Sequence, residues 1–158
     1  MYESALRLDP QDAQAMCSFA RLKCDKMGDR KGAAELLRKS IAINPADHVT
    51  LCTCVALGLL DGYELRGASA LVERAQRSAP HDPAVHCFRA VVKHLHGKRD
   101  EAETAWRLAE SLNPSSPMIS TVRNWLDTVA ESEQSGDKEA LQTPGRKILQ
   151  GMLTGLDR

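Results

Sequence analysis

The sequence predicts an all-α fold, an array of antiparallel helix pairs finished by a C-terminal capping helix. Three observations predict it. Prolines recur at Pro10, Pro45, Pro80 and Pro114, with strides of 35, 35 and 34 residues. Each closes a similar phrase, ALRLDP, SIAINP, AQRSAP or AESLNP, and two residues later stands Asp12, Asp47, Asp82 or Ser116. Aromatic residues make up only 4% of the chain, while alanine, leucine and arginine are plentiful, a mixture that favours helix over sheet. A fixed stride of this length marks supersecondary units that stack to bury a shared core.

Taken in order, residues 1–12 supply only the second helix of a unit, MYESALRL, up to its closing proline. Because repeat arrays need polar caps at both ends, the expectation is a chain that continues a longer array. Residues 13–47 form unit one. The Asp12 carboxylate suits the helix start because it accepts a bond from an otherwise orphaned amide of the first turn. Gly28 fits a tight turn between the two helices of the pair. Ala33 and Ser40 then let helices approach closely, while Leu37 fills the space between layers. Residues 48–82 repeat this plan with Gly62, Ala68, Val72 and Ala75, and residues 83–116 with Gly97, Ala102, Trp106 and Ala109. In the incomplete first unit Tyr2 and Ala5 take the corresponding places.

Residues 117–131 read as a capping helix. Pro117 is tolerated at the first helical position. Ile119, Val122, Leu126 and Val129 step by three or four with Trp125 beside them, and Arg123, Asp127 and Glu131 take the opposite face. Residues 132–142, polar and containing Gly136, read as a linker or a frayed helix end. Residues 143–158 open on Thr143 and Pro144 and carry one apolar stripe, Ile148, Leu149, Met152, Leu153 and Leu156. So short a helix is marginal alone and needs something to bury its stripe. It docks on the body of this chain, or serves as a partner-binding helix, or occupies the groove until a partner displaces it.

The recurring pattern resembles the tetratricopeptide repeat. The matching residues are Ala33, Leu37, Ser40 and Pro45, then Ala68, Val72, Ala75 and Pro80, then Ala102, Trp106, Ala109 and Pro114. In the first helices the family's large apolar positions hold Met16 and Phe19, Leu51 and Cys54, and His86 and Arg89; Arg89 departs from the pattern. The two 35-residue units carry one residue more than the family's unit of about 34, placed in the first helix or its turn. The resemblance covers residues 1–116. It implies a right-handed superhelix whose first helices line a concave surface that holds a partner's peptide or helix. The inward positions it implies are Gln14, Cys17, Ser18 and Arg21 in unit one; Val49, Cys52, Thr53 and Ala56 in unit two; and Ala84, Cys87, Phe88, Val91 and His94 in unit three. Cys17, Cys52 and Cys87 each stand seven residues after a proline and would form a row along the groove, as small apolar packing residues. Members that clamp a chaperone's acidic tail use lysine, asparagine and arginine in this surface; here only Arg21 could pair with a carboxylate. An amphipathic helix or an apolar-anchored peptide fits better.

The remaining composition narrows the function classes. With 21 basic and 21 acidic residues the net charge is zero, giving no general pull toward nucleic acid or anionic membrane. RNA binding, as in the pentatricopeptide family with its similar stride, is the weaker alternative. No apolar run reaches the roughly 18 residues a membrane helix needs. Five cysteines, an odd number with no secretory signal before them, point to reduced thiols in an intracellular, cytoplasmic setting. No CxxC pair, phosphate loop or nucleophile motif appears, and Cys52 and Cys54 point to different faces of a helix. The expectation is an adaptor or scaffold without metal, cofactor or catalysis. The alternative is a rigid subunit of a large assembly that holds its neighbours by the convex face, through residues such as Arg38, Glu73 and Arg107.

Overall fold

The computed structural model describes residues 2–60, 65–136, 148, 151–153 and 156. Eight helices span most of them: α1 (Tyr2–Leu8), α2 (Ala13–Met27), α3 (Arg30–Ile43), α4 (His48–Leu60), α5 (Leu65–Ser78), α6 (Pro83–Leu95), α7 (Arg99–Leu112) and α8 (Pro117–Ser135). Among the described residues there is no strand. The pairs α2–α3, α4–α5 and α6–α7 are antiparallel hairpins, and each second helix also packs on the first helix of the following unit. The first helices α2, α4, α6 and α8 lie in sequence side by side. The result is an all-α solenoid, with α1 packed on α2 and α8 packed on α6 and α7.

The capping chemistry explains the stops and starts. The Asp12 carboxylate accepts from the Ala15 amide at 2.9 Å, and Asp82 from the Ala84 amide at 2.9 Å. Asp47 does more, accepting from the Thr50 amide at 3.3 Å and the Thr50 hydroxyl at 2.5 Å. Ser116 differs: its side chain makes no capping bond, and the Ile119 amide donates to the Ser116 backbone carbonyl at 3.1 Å instead. An unannounced cap is Asp29, which starts α3 by accepting from Gly32 at 2.9 Å and holds the Lys23 ammonium at 2.9 Å. Its carboxyl is held below the usual range, chiefly by the Gly32 amide and then by Lys23. The turns at Gly28 and Gly97 need φ of 64° and 77°, a region that suits a residue without Cβ. Gly62 lies outside the described residues. The extra residue of unit one is accommodated in α2, which is 15 residues long against 13 for α6.

The small residues sit where helices touch. Ala33, Ser40, Ala75, Ala102 and Ala109 are buried, with Leu37, Val72 and Trp106 between them. Ser40 is satisfied in the core by donating to the Ala13 carbonyl at 2.8 Å, with the Thr50 hydroxyl 3.2 Å away. The Trp106 indole N–H donates to the Ile119 carbonyl at 3.0 Å, tying α7 to α8. His86, in the position of the missing aromatic, is buried and lies with Nε2 2.7 Å from the Pro80 carbonyl, where an Nε2–H donates. Arg89 is half-buried, so the helix keeps its register with the aliphatic stem of the arginine at the apolar position.

Residues 132–135, read as a linker or a frayed helix end, form the last turn of α8, because nothing in SEQS breaks a helix before Gly136. One side chain departs from its expected place. Arg123, expected on the solvent face, is half-buried: its guanidinium lies 4.7 Å from the Trp106 ring centroid and grips both Glu103 oxygens at 3.0 and 2.9 Å. Burial pushes the Glu103 carboxyl up, but the bonds from Arg123 and Arg107 outweigh it and hold it below its ordinary value.

Candidate functional site

The first helices determine what the inner face offers. Of the inward positions, Gln14 is exposed, and Ser18, Arg21, Val49, Ala84 and His94 are partly buried. Cys17, Cys52, Thr53, Ala56, Cys87, Phe88 and Val91 are buried in the core. With the C-terminal segment in place these seven positions are covered. The reason is geometric: a first helix has its own partner on one side and a first helix on each flank, so most of its circumference is covered. A carboxylate placed at Cys52 or Phe88, both 0% exposed, would be an uncompensated buried charge costing several kcal/mol. Substitution there reports on folding, not on binding.

The cysteine row is real in part. The Cys17 thiol lies 3.7 Å from the Thr53 hydroxyl, which itself donates to the Val49 carbonyl at 2.7 Å. Burial raises the Cys52 thiol far above its ordinary value, with Asp82, Asp47, Cys54 and Cys87 adding to the shift. Burial likewise pushes Cys87 up to about 12, and Cys54 to about 12. These thiols stay protonated and behave as small apolar packing groups. Among the described residues, no group of three or more histidines, cysteines or carboxylates is placed to hold a metal ion.

The face of the first helices is nevertheless occupied. Met152 is 0% exposed and Leu156 8%, and both belong to the main apolar core with residues of α4, α6 and α8. Ile148 and Leu153 pack against that core, and Leu153 also reaches the cluster of Cys17, Ala20 and Leu57. Gly151 faces α8, where a Cβ in its place would meet the Thr121 methyl at 3.6 Å. Leu156 lies at the other end, bordering Cys17, Ser18 and Arg21 of α2 together with Val49 of α4. The C-terminal segment thus crosses the inner face from α8 toward α2. Leu149 lies outside the described residues.

Two depressions flank this segment. One of about 990 Å³ is bounded by His48, Val49, Asp82, Ala84, Thr121 and Leu156. A second, of about 410 Å³ at the unit-one end, is bounded by the polar Gln14, Ser18, Arg21, Asn44 and Asp47. In the wall of the larger depression His48 Nε2 lies 2.8 Å from the Asp82 carboxylate, a contact that ties the start of α4 to the start of α6. The apolar stripe of the C-terminal segment was flagged by sequence pattern as needing a surface to dock on, but this pair was not. His48 stands three residues after one closing proline and Asp82 two after the next, and that neighbouring position at successive unit starts is the signal that could have found the pair.

Comparison with solved structures places the fold. The structure described as "Crystal structure of MamA", a tetratricopeptide-like protein, superposes with a TM-score of 0.64 at 17% identity, covering 99% of this chain and 85% of that one. At that identity the likeness shows the fold, a tetratricopeptide-like helical array. No family model matches the chain. No curated protein matches it either. Among the described residues no helix is long and apolar enough to cross a membrane.

Proposed function

We propose that the chain is a protein–protein interaction module, an adaptor or scaffold, that holds a partner's amphipathic helix or apolar-anchored peptide across the face of its first helices. The observation that carries this is the C-terminal segment itself. The inner face receives an apolar stripe, with Met152 fully excluded from solvent, so its shape and apolarity suit a helical guest. Reduced, strongly protonated thiols agree with an intracellular, cytoplasmic setting.

The second function is that of a rigid subunit in a large assembly. Its supporting observation is the outer surface, where Arg38, Glu73 and Arg107 are exposed beside the exposed Leu108 and Leu112. The two functions separate by mutation. Glutamate at Ser18 and Ala84, which border the inner depressions without belonging to the core, should release the partner. Charge reversal at Arg38, Glu73 and Arg107 should leave it bound. Affinity purification of both variants from the native source, read by mass spectrometry, decides. Partner loss from the outer variant with retention by the inner one would establish the structural role instead.

A further inference from the structure

The residues crossing the inner face have the spacing of a ligand. Ile148, Met152 and Leu156 stand four apart in sequence and Leu153 follows Met152; residues 148 and 151–153 are helical and Leu156 lies in a turn. The stripe is laid over α8 and the first helices, with Met152 and Leu156 buried in the main core and Leu153 reaching the Cys17 cluster of unit one. Leu156 also borders the polar depression around Gln14, Ser18, Arg21 and Asp47. The segment is joined to α8 through residues 137–147, whose composition is mostly polar and contains Pro144 and Gly145. A helix of this length has little stability of its own, so docking on the array supplies what holds it.

We propose that the C-terminal segment around residues 148–156 is a built-in competitor for the partner's helix, regulating access to the groove. The claim rests on the groove-binding function above and adds its regulation and the ligand's chemistry. The partner's helix carries large aliphatic residues at i, i+4 and i+8, with polar groups suited to the polar unit-one depression. Apparent affinity for the partner is then its intrinsic affinity reduced by the fraction of molecules whose groove is vacated.

The test uses the full chain and a fluorescent peptide of residues 143–158 as probe, read by anisotropy. In one variant Met152→Asp and Leu156→Asp remove the internal stripe. In a second, Thr121→Cys and Gly151→Cys place thiols where the Cβ at 151 meets the Thr121 methyl at 3.6 Å, within reach of a disulfide that pins the segment. The probe is expected to bind the aspartate variant at least tenfold more tightly than the wild type. It should bind the cysteine variant only after reduction, with the disulfide verified by mass. Equal binding to the oxidised and reduced forms overturns the competition. If the probe ignores every form while the Ser18→Glu variant still loses its native partner, groove binding stands and the internal competitor falls. If the Ser18→Glu and Ala84→Glu variant keeps its partner, groove binding itself falls.

Discussion

At the scale of single residues, the fold rests on side chains whose size cannot change. Ala102 is 1% exposed where α7 meets its neighbours, so Ala102→Leu overpacks that contact. Denaturant unfolding should show a loss of about 1–3 kcal/mol. A neutral result would put Ala102 on the surface and shift the register of unit three. The thiols give a second prediction. Cys52 and Cys87, buried and with raised pKa, should resist iodoacetamide at pH 8 and react only in denaturant. Rapid labelling of the folded chain, mapped by mass spectrometry, would contradict their burial. The recurring alanines and prolines were legible in the sequence because their role follows from size and backbone alone. The packing role of Cys52 was legible too, since a free cysteine behaves as a small apolar residue; the burial of Phe88 and Val91 was not. A repeat pattern says which way a side chain leaves its own helix, but not how closely the flanking helices and a distant segment close over it.

At the scale of elements, junctions between units carry the specificity. Asp82 caps α6 through the Ala84 amide and also pairs with His48 at 2.8 Å. Asp82→Ala removes both, and calorimetry should report a loss of about 1–2 kcal/mol, the upper part of the range for a lost cap. The cap was readable from the proline phase; the pair was not, because it joins helices of different units. The end of α6 carries a pH response. His94 is packed edge-on against Trp125 at 5.3 Å, near Glu133 at 3.8 Å and with Arg99 paired to that carboxylate. Burial lowers the His94 pKa below 6.5, Glu133 opposes the shift and Arg99 assists it. The folded chain therefore binds this proton less readily than the unfolded chain. Stability from His94 is complete above about pH 6.5 and declines as pH falls from there toward the lowered folded value. Melting temperatures measured between pH 7.5 and 5.5 should fall, and His94→Asn should flatten the slope. An unchanged slope would remove His94 as the cause.

At the scale of the whole molecule, one stride of prolines and small residues sets the stacking of helix pairs, and stacking brings the first helices together on one face. That much is visible in residues 1–116 as a line of text. What covers the face is not. The stripe of Ile148, Met152, Leu153 and Leu156 announces that it needs burial, yet spacing carries no address, and the surface it meets is assembled from α2, α4, α6 and α8, far away in sequence. Burying Met152 and Leu156 contributes roughly 1.5–3 kcal/mol for each side chain before ordering costs, a scale that permits exchange with an outside helix of similar stripe. The most direct measurement of the central claim places a photo-crosslinking residue at Ser18 or Val49 on the inner face, and at Glu73 or Arg107 on the outer face, in otherwise intact chains. Partner crosslinks formed from Ser18 and Val49, and absent from Glu73 and Arg107, are the predicted result. Crosslinks confined to the outer positions would contradict it.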